Sequence, residues 1–283
     1  MTLWDSLTFW NTVTRYRSKE RPIMLPDTRS RLLVLVASLL AMTQNAMAAG
    51  EDWLNRPQVV VELYTSQGCN SCPPADRLIA RMVGCGQILP LGFHVDYWDY
   101  LGWEDTFASP SHTSRQKSYA RAFNETTIYT PQIVIQGVER MVGSYVSEVE
   151  QAIGNAARHL PEYQIRLDLE TMQISGDGTR DNLALTLVTF DPTLHHVAIE
   201  RGENRDRTIP YANVVTDLHS FNLDRVTKST IPVPDEVPEL LARTDDSVSI
   251  LIHDRDSMRI LTAWARHSDS AADQPCTNNM GIF

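Results

Sequence analysis

The sequence predicts a mixed α/β sheet with helices on both faces, followed by a small all-β region of the sandwich type. Between residues 57 and 160, β-rich runs alternate with helical segments, and a hairpin precedes the last helix. This is the order of a sheet that is covered by helices on both sides. After residue 161, runs of alternating apolar and polar residues are separated by turn residues, which is typical of a small antiparallel sandwich.

Seven elements are predicted in the first region. The run at residues 58–64 is almost continuously apolar, as in a strand buried on both faces. A helix follows Cys72 and extends to about Val83, with two prolines in its first turn, where proline is tolerated. The other predicted elements are a strand at 88–95, a helix at 111–123, strands at 131–135 and 139–142, and a helix at 147–160.

The second region is predicted to be a separate domain. Its period-two runs lie at residues 165–169, 183–187, 248–252 and 260–264. We place the domain boundary near Leu160-Pro161, which gives domains at residues 57–160 and 161–283. A chain of 283 residues is long enough for two domains.

Composition restricts the class of protein. The chain is 42% apolar and 21% charged, as in ordinary globular proteins. Its net charge of −10 does not suit nucleic acid, whose phosphates are bound by clustered lysine and arginine. Nucleic acid is therefore excluded as a partner.

Residues 1–48 are predicted to be an N-terminal extension that contains a secretory signal peptide. Basic residues precede an apolar run from Leu32 to Met42, and Ala46-Met47-Ala48 has the small-x-small pattern of a cleavage site. The run is shorter than the ~20 residues of a transmembrane helix, so no stable membrane span is expected after cleavage. An uncleaved anchor is the alternative, and the start codon is either Met1 or Met24. We expect the mature protein in the periplasm or secreted.

The motif Cys69-Asn70-Ser71-Cys72 stands between the first predicted strand and the first predicted helix, which is the thioredoxin arrangement. Unpaired N–H groups and the dipole at the start of a helix stabilise a thiolate, so Cys69 is the predicted nucleophile. The spacer lets Cys72 close a disulfide with it, as the resolving thiol. Half a zinc site has the same spacing, but neither a second C-x-x-C nor an H-x₃₋₅-H follows.

Thr130-Pro131 precedes a predicted strand about 60 residues after the motif, where thioredoxin-like folds place a cis-proline beside the dithiol. In that position Pro131 belongs to the catalytic site, and Thr130 presents its backbone to an incoming substrate chain. The alternative is an ordinary trans proline at the start of a strand.

Glu62 interrupts the apolar run seven residues ahead of Cys69. Thioredoxins carry a buried acid near this point that exchanges protons with the resolving cysteine. Burial raises the pKa of a carboxyl group, which suits it to proton transfer near neutral pH. The alternative is an edge-facing or hydrogen-bonded glutamate without a catalytic role.

These motifs resemble a bacterial family of secreted thioredoxin-like proteins that is itself of unknown function. The resemblance lies in the stretches Val61 to Asp76, which includes C-x-x-C-P-P-A-D, His94 to Trp103, Tyr129 to Gln132, Arg201 to Asn204, and Asn213 to Val215. It implies the fold, export and a dithiol, and it implies no substrate. The resemblance to thioredoxin itself is weaker, because Gly68 stands where thioredoxins have tryptophan.

The segment from His94 to Trp103 concentrates aromatic and acidic residues. One interpretation is a rim beside the dithiol that holds a peptide or a metal, with Trp98 in contact with substrate. The other is a strand end and an aromatic loop that covers the domain junction, with His94 in a core contact. The charged stretch from Arg201 to Arg207 has two similar interpretations, a solvated hairpin or a polar platform that faces the dithiol.

The remaining cysteines, Cys85 and Cys276, lie outside these motifs. They are candidates for a structural disulfide that joins the C-terminal tail to the first domain, which would stabilise the fold by about 4–5 kcal/mol in the chain-entropy model. Otherwise each is a lone thiol, and Cys85 is then a local third redox partner.

The leading hypothesis is an exported thiol–disulfide oxidoreductase that acts on a protein substrate or redox partner through Cys69 and Cys72, without a cofactor or a metal. One alternative is a module that handles copper or another soft metal, since thiolates bind such ions. Another is a non-enzymatic adaptor whose disulfide is structural. The client, the electron donor, the direction of transfer, the redox potential and the oligomeric state do not follow from the sequence.

Overall fold

A computed structural model describes residues 58–85, 88–158, 166–168, 173–175, 181–223, 231–243 and 247–266. The first elements are β1 (Val59–Thr65), α1 (Pro73–Met82), β2 (Ile88–His94), a 3₁₀-helix (Asp99–Leu101), α2 (Pro110–Ala122), β3 (Gln132–Ile135), β4 (Glu139–Val142) and α3 (Val146–Arg158). The predicted order of strands and helices is confirmed. Local signals set the helix starts: α2, for example, has Ser109 as its N-cap, which accepts a hydrogen bond from the Ser111 N–H, and Pro110 in its first turn.

The later elements are mostly strands. They are β5 (Arg166–Asp168), β6 (Gln173–Ser175), β7 (Leu183–Asp191), β8 (His195–Ile199), β9 (Arg207–Tyr211), β10 (Val214–Leu223), β11 (Ile231–Pro232), α4 (Glu236–Arg243), β12 (Ser247–Asp254) and β13 (Ile260–Arg266). Helix α4 was not predicted; Pro238 lies in its first turn, where proline is tolerated.

Eight strands form one mixed sheet in the order β13-β12-β7-β10-β2-β1-β3-β4. Strand β1 lies inside this sheet, parallel to β2 and antiparallel to β3, and all its residues are buried. Two smaller sheets are separate, one of β11, β6 and β5 and one of β8 and β9. The predicted α/β fold with a mixed sheet is therefore confirmed.

Helices cover both faces of β1. Val61 and Leu63 belong to a core that includes residues of α1 and α3. Val60 and Tyr64, on the opposite face, belong to a core that includes Tyr119 of α2. Alternate residues of β1 thus point to different helices, as the pleat of a strand requires.

The antiparallel strands of the second region are present, and they continue the first sheet instead of forming a sheet of their own. Strand β10 pairs with β2 in parallel at Val214 and Gly92. The connection is held by Asn213, whose side-chain amide donates to the Pro90 carbonyl at 2.8 Å and whose carbonyl accepts from the Gly92 N–H at 2.9 Å. The predicted domain boundary at Leu160-Pro161 lies outside the described residues.

The two ends of the eight-stranded sheet approach each other. The N–H of Ile260, at the start of β13, donates to the carbonyl of Gln136, which follows β3, at 2.9 Å. A Cβ on Gly137, which has φ +65°, would lie 2.1 Å from the Met258 carbonyl oxygen. One core accordingly contains residues from both ends of the sheet and from α2 between them.

Within the described ranges, no helix combines the length and the apolar character that a membrane span requires. The predicted extension and signal peptide at residues 1–48 lie outside the described residues.

Candidate functional site

Cys69 and Cys72 form a disulfide at the amino-terminal end of α1, with their Cα atoms 5.5 Å apart. Cys72 is the N-cap of the helix, and its carbonyl accepts hydrogen bonds from the N–H groups of Ala75 and Asp76 at 2.9 and 3.1 Å. Strand β1 ends at Thr65, so only a short turn separates the strand from the disulfide. The predicted position of the pair, between a strand and a helix, is confirmed.

Both cysteines are fully buried, with 0% of each residue exposed. The two residues between them, Asn70 and Ser71, are exposed. The disulfide therefore lies directly beneath the surface and has no solvent contact in this state.

Asn204 from the β8–β9 connection is hydrogen-bonded to the cysteine turn. Its side-chain amide donates to the carbonyl oxygens of Gln67 at 2.9 Å and Cys69 at 2.8 Å, and its Oδ1 accepts from Arg207 at 2.9 Å. Asn204 is fully buried, while Glu203 and Arg205 beside it are exposed. The charged stretch is thus a solvated hairpin in which one residue faces the dithiol, which combines the two interpretations of the sequence.

The Thr130–Pro131 peptide bond is cis, as predicted. It is linked to the cysteine turn by Trp98, whose Nε1 donates to Thr130 Oγ1 at 2.8 Å. A Cβ on Gly68 would lie 3.3 Å from the Trp98 Cβ, so Trp98 occupies the space beside the residue that precedes Cys69. Trp98 and Thr130 are partly buried, and their contact with a substrate, like the catalytic part of Pro131, stays a prediction.

His94 makes a buried ion pair behind the cysteine turn. Its Nδ1 lies 2.8 Å from Asp105 Oδ2, which also accepts from the Gln67 N–H at 2.7 Å. Burial opposes the charged imidazolium, but the Asp105 carboxylate outweighs burial and raises the pKa of His94. The His94 ring packs edge-on against Tyr211 and Phe107. His94 is therefore in a core contact, in agreement with that interpretation of the aromatic segment.

Asp76 is a buried acid one helical turn after Cys72. Its Oδ1 accepts a hydrogen bond from Thr65 Oγ1 at 2.7 Å, and its Oδ2 has no hydrogen-bond partner among the described residues. Burial raises the pKa of Asp76 to about 7, against the opposing effects of the Thr65 hydrogen bond and the charge of His94. This carboxyl group therefore keeps its proton to a higher pH than an exposed aspartate does.

Glu62 is buried and its carboxylate is hydrogen-bonded, as in the second of its two interpretations. Its carboxylate accepts two hydrogen bonds from Arg115, at 2.7 and 2.9 Å, and one from each of the Tyr64 and Tyr119 hydroxyls, at 2.8 Å. Burial raises the pKa of such a group, but the charge and the hydrogen bonds of Arg115, with those of the tyrosines, outweigh burial and lower it. The expected raised pKa was wrong.

Glu62 also lies on the other side of the sheet from the helix that carries Cys72. Arg115 and Tyr119 belong to α2, whereas α1 packs against the face of Val61 and Leu63. The hydrogen-bonded glutamate, the second interpretation of this residue, describes what the structure shows.

The predicted Cys85–Cys276 pair remains a prediction. Cys276 lies outside the described residues. None of the cysteines in the described part of the chain is a free thiol. Cys85 is buried in the core beneath α1.

The site contains no recognisable metal centre in the part of the chain that the structure describes. Among these residues, no group of three histidine, cysteine, aspartate or glutamate side chains is placed to hold a metal ion. The soft-metal hypothesis therefore gains no support from them.

The fold and the site define an α/β protein with a C-x-x-C disulfide between a strand and a helix. The chain belongs to the protein family of unknown function DUF1223, whose model matches residues 60–252. The matched range includes both the cysteine turn and Asn204. The comparison with curated proteins gives no match.

Two solved structures are similar to this chain. The crystal structure of protein AGR_C_4864 from Agrobacterium tumefaciens has 27% sequence identity and a TM-score of 0.56, and the match covers 75% of this chain and 94% of that chain. HBP35 of Porphyromonas gingivalis has 12% identity and a TM-score of 0.46, with 78% of each chain covered.

Two residues of the site, Asp76 and Tyr211, were not singled out from the sequence as functional candidates, and Asn204 was included only as part of the charged stretch from Arg201 to Arg207. Asp76 stands in the C-x-x-C-P-P-A-D motif, and its spacing of four residues from Cys72 is the signal that places both on one helix face. Asn204 and Tyr211 come from the β8–β9 hairpin, and no local pattern in the sequence indicates that this hairpin packs on α1.

Proposed function

We propose that the protein is an exported thiol–disulfide oxidoreductase whose active pair is Cys69 and Cys72. The observation that carries this proposal is the disulfide at the start of α1, in a fold that also has a cis-proline at the adjacent strand end. Strand β3 begins next to Pro131 and pairs with β1 through Gln132 and Tyr64, close to where the cysteine turn begins. A thiol–disulfide exchange site requires such a pair at a helix start.

The reaction is an exchange between this pair and a disulfide or dithiol of a protein client. When the pair is reduced, the Cys69 thiolate attacks one sulfur of a client disulfide, and a mixed disulfide forms while the other client sulfur leaves as a thiolate. Cys72 then attacks Cys69 and releases the client as a dithiol. Two electrons pass from the pair to the client, and the reverse sequence oxidises a client dithiol.

Because both cysteines are buried, the residues around them must move during exchange, since an attacking sulfur needs direct access to the disulfide. Asn204 is held by two hydrogen bonds to backbone carbonyls, while its neighbours in the hairpin are exposed. We propose that this hairpin connection is displaced during exchange, and that its hydrogen bonds to the protein are then replaced by hydrogen bonds to water.

Trapping tests the proposal. Reduced Cys72→Ser protein keeps the attacking sulfur and lacks the resolving one, so it should accumulate mixed disulfides with proteins of a periplasmic extract. Cys69→Ser is the matched control and should trap none. If Cys72→Ser forms no mixed disulfide with either extract proteins or a small disulfide, the proposal is wrong.

A second candidate is supported by the burial of both cysteines, which is also what a structural disulfide in a non-enzymatic adaptor would show. The sequence separation of three residues opposes it. Closing so short a loop stabilises a fold by about 2 kcal/mol in the chain-entropy model, whereas a 15-residue loop gives about 3 kcal/mol. A large loss of thermal stability in a Cys69→Ala/Cys72→Ala protein would favour the adaptor.

Export is part of the proposal. A cysteine pair in the disulfide form suits an oxidising compartment, since cytosolic thiols are kept reduced. The basic and apolar segments within residues 1–48 supply the signal. The proposed location is the periplasm or the extracellular space, and fractionation of cells that express the full chain tests it.

A further inference from the structure

Two buried polar groups near the disulfide have no hydrogen-bond partner among the described residues, and neither is used by the exchange described above. They are Oδ2 of Asp76 and the hydroxyl of Tyr211. Asp76 is on α1, and Tyr211 is on β9, the strand that packs against α1. A buried polar atom without a protein partner is unfavourable, so its presence in a folded protein calls for an explanation.

Asp76 lies on the same side of α1 as the resolving cysteine. Its N–H donates to the Cys72 carbonyl at 3.1 Å, which is the four-residue bond of a helix. Cys72 itself has helical backbone angles, with φ −78° and ψ −33°. Side chains four residues apart lie on the same face of a helix, so the geometry places the Asp76 and Cys72 side chains on one face of α1.

The charges around Asp76 are compatible with a proton-exchanging group. His94 on β2 and Arg77 on α1 favour the carboxylate, while Asp105 opposes it and Thr65 fixes Oδ1 by a hydrogen bond. The charges of Asp76 and Asp105, added to burial, raise the pKa of the Tyr211 hydroxyl, which therefore stays protonated. Oδ2 of Asp76 is thus left as the proton acceptor among these groups.

We infer that Asp76 is the acid–base group for the Cys72 thiol. The resemblance to thioredoxins gave this role, proton exchange with the resolving cysteine, to Glu62. This inference rests on the proposed function. Glu62 is unsuited to the task because Arg115 and two tyrosines occupy its oxygens on the opposite face of the sheet. His94 is unsuited because it is paired with Asp105.

The step balances as follows. In the mixed disulfide, the Asp76 carboxylate takes the proton of the Cys72 thiol, and the resulting thiolate attacks Sγ of Cys69. The Cys69–Cys72 bond forms, the bond from Cys69 to the client sulfur breaks, and the client thiolate takes a proton from solvent. Two electrons leave the cysteine pair and reduce the client disulfide. In the reverse direction Asp76 returns the proton to Cys72.

The test is a small aromatic disulfide that releases a coloured thiol. With the reduced protein, the first equivalent of coloured thiol reports attack by Cys69, and the second reports attack by Cys72 on the mixed disulfide. The rate of the second release, measured from pH 5 to 9, should rise with an inflection near pH 7 in the natural protein. In Asp76→Asn the inflection near pH 7 should disappear, and the rate at pH 7 should fall by at least about tenfold.

Two further variants distinguish a role of Asp76 in proton exchange from a general disturbance of the fold. Asp217→Asn removes an exposed carboxylate on β10 and should leave the profile unchanged. Thr65→Val removes the hydrogen bond that lowers the Asp76 pKa, so its inflection should move to higher pH. The Thr65 variant keeps the inference testable if Asp76→Asn does not fold.

The outcomes are distinct. A second release whose pH profile is unchanged in both Asp76→Asn and Thr65→Val overturns the inference and leaves the proposed function standing. Failure of the natural reduced protein to release either equivalent overturns both. Loss of the inflection in Asp76→Asn, or its upward shift in Thr65→Val, supports both.

Discussion

The side-chain amide of Asn204 donates a hydrogen bond to the backbone carbonyl of Cys69 at 2.8 Å, across a sequence separation of 135 residues. This bond connects the second region of the chain to the cysteine turn of the first. It gives the β8–β9 hairpin a defined position beside that turn.

Asn204→Ala should make the disulfide easier to reach. The substitution removes the hydrogen bond accepted from Arg207 and the two hydrogen bonds to the cysteine turn. Each of the latter two is worth about 1 kcal/mol, so the rate of reduction by dithiothreitol should increase by about tenfold or more. Glu203→Ala, an exposed neighbour in the same connection, is the matched control and should reduce at the natural rate. Equal rates for all three proteins would show that Asn204 does not limit access.

Glu62→Gln should destabilise the fold and leave the chemistry of the cysteines alone. The change leaves Arg115 buried without its charge partner, which typically costs 3–5 kcal/mol. Urea unfolding at pH 7 measures this loss, and a Glu62→Leu/Arg115→Met protein, which buries no charge, should recover much of it. A change in the pH profile of the second thiol release in Glu62→Gln would contradict the structural role.

Low pH should weaken the contribution of the Glu62–Arg115 pair to the stability of the fold. Because the folded-state pKa of Glu62 is lowered, its contribution to stability is present above the ordinary value of 4.5 and is lost as the pH falls through the folded-state pKa. The difference in unfolding free energy between the natural protein and Glu62→Gln should therefore shrink towards low pH. A difference that stays constant down to the acid transition would argue against a charged Glu62.

The Asp76 carboxyl group should give the opposite dependence of folding stability on pH. Its pKa is raised from 3.8 to about 7 by burial, so the folded state binds the proton more tightly and the ionised carboxylate destabilises the fold. This penalty grows as the pH rises above about 4 and reaches its full size, on the order of 4 kcal/mol, above pH 7. Urea unfolding of the oxidised protein at several pH values should show a smaller loss across this window in Asp76→Asn. Identical pH dependence in the two proteins would contradict the raised pKa.

Trp98→Phe should weaken exchange with protein clients more than exchange with small disulfides. The substitution keeps an aromatic ring beside Gly68 and removes the hydrogen bond to Thr130, which holds the residue before the cis-proline. The loss of one such bond corresponds to a rate decrease of about three- to tenfold. Thr130→Val should produce a similar decrease, and the double variant should add little, since both changes remove the same bond. Additive effects would show that the two residues act separately.

Much of the first region was predictable because its signals are local. The apolar run of β1, the prolines after Cys72 and the alternation of strands and helices each follow from residues that are close in sequence. The cysteine position and the cis Thr130–Pro131 peptide followed from the same order of elements. In each case the sequence pattern and the tertiary structure favour the same local conformation.

The parts that were not predicted depend on contacts between distant residues. Glu62 was expected to have a raised pKa because burial is visible in the sequence, whereas its partner Arg115 is 53 residues away. The parallel pairing that joins the second region to the first sheet has one register pair, Val214 with Gly92, and its two strands are distant in sequence. The sequence therefore indicated the antiparallel strands and did not indicate which sheet they join.

The equilibrium between the Cys69–Cys72 disulfide and a series of glutathione redox buffers tests the catalytic role of this pair most directly. A pair that exchanges with clients should be reduced measurably within that series, at a potential above about −300 mV. A pair that stays oxidised throughout, with a potential below about −300 mV, would be a structural disulfide and would contradict the proposed oxidoreductase.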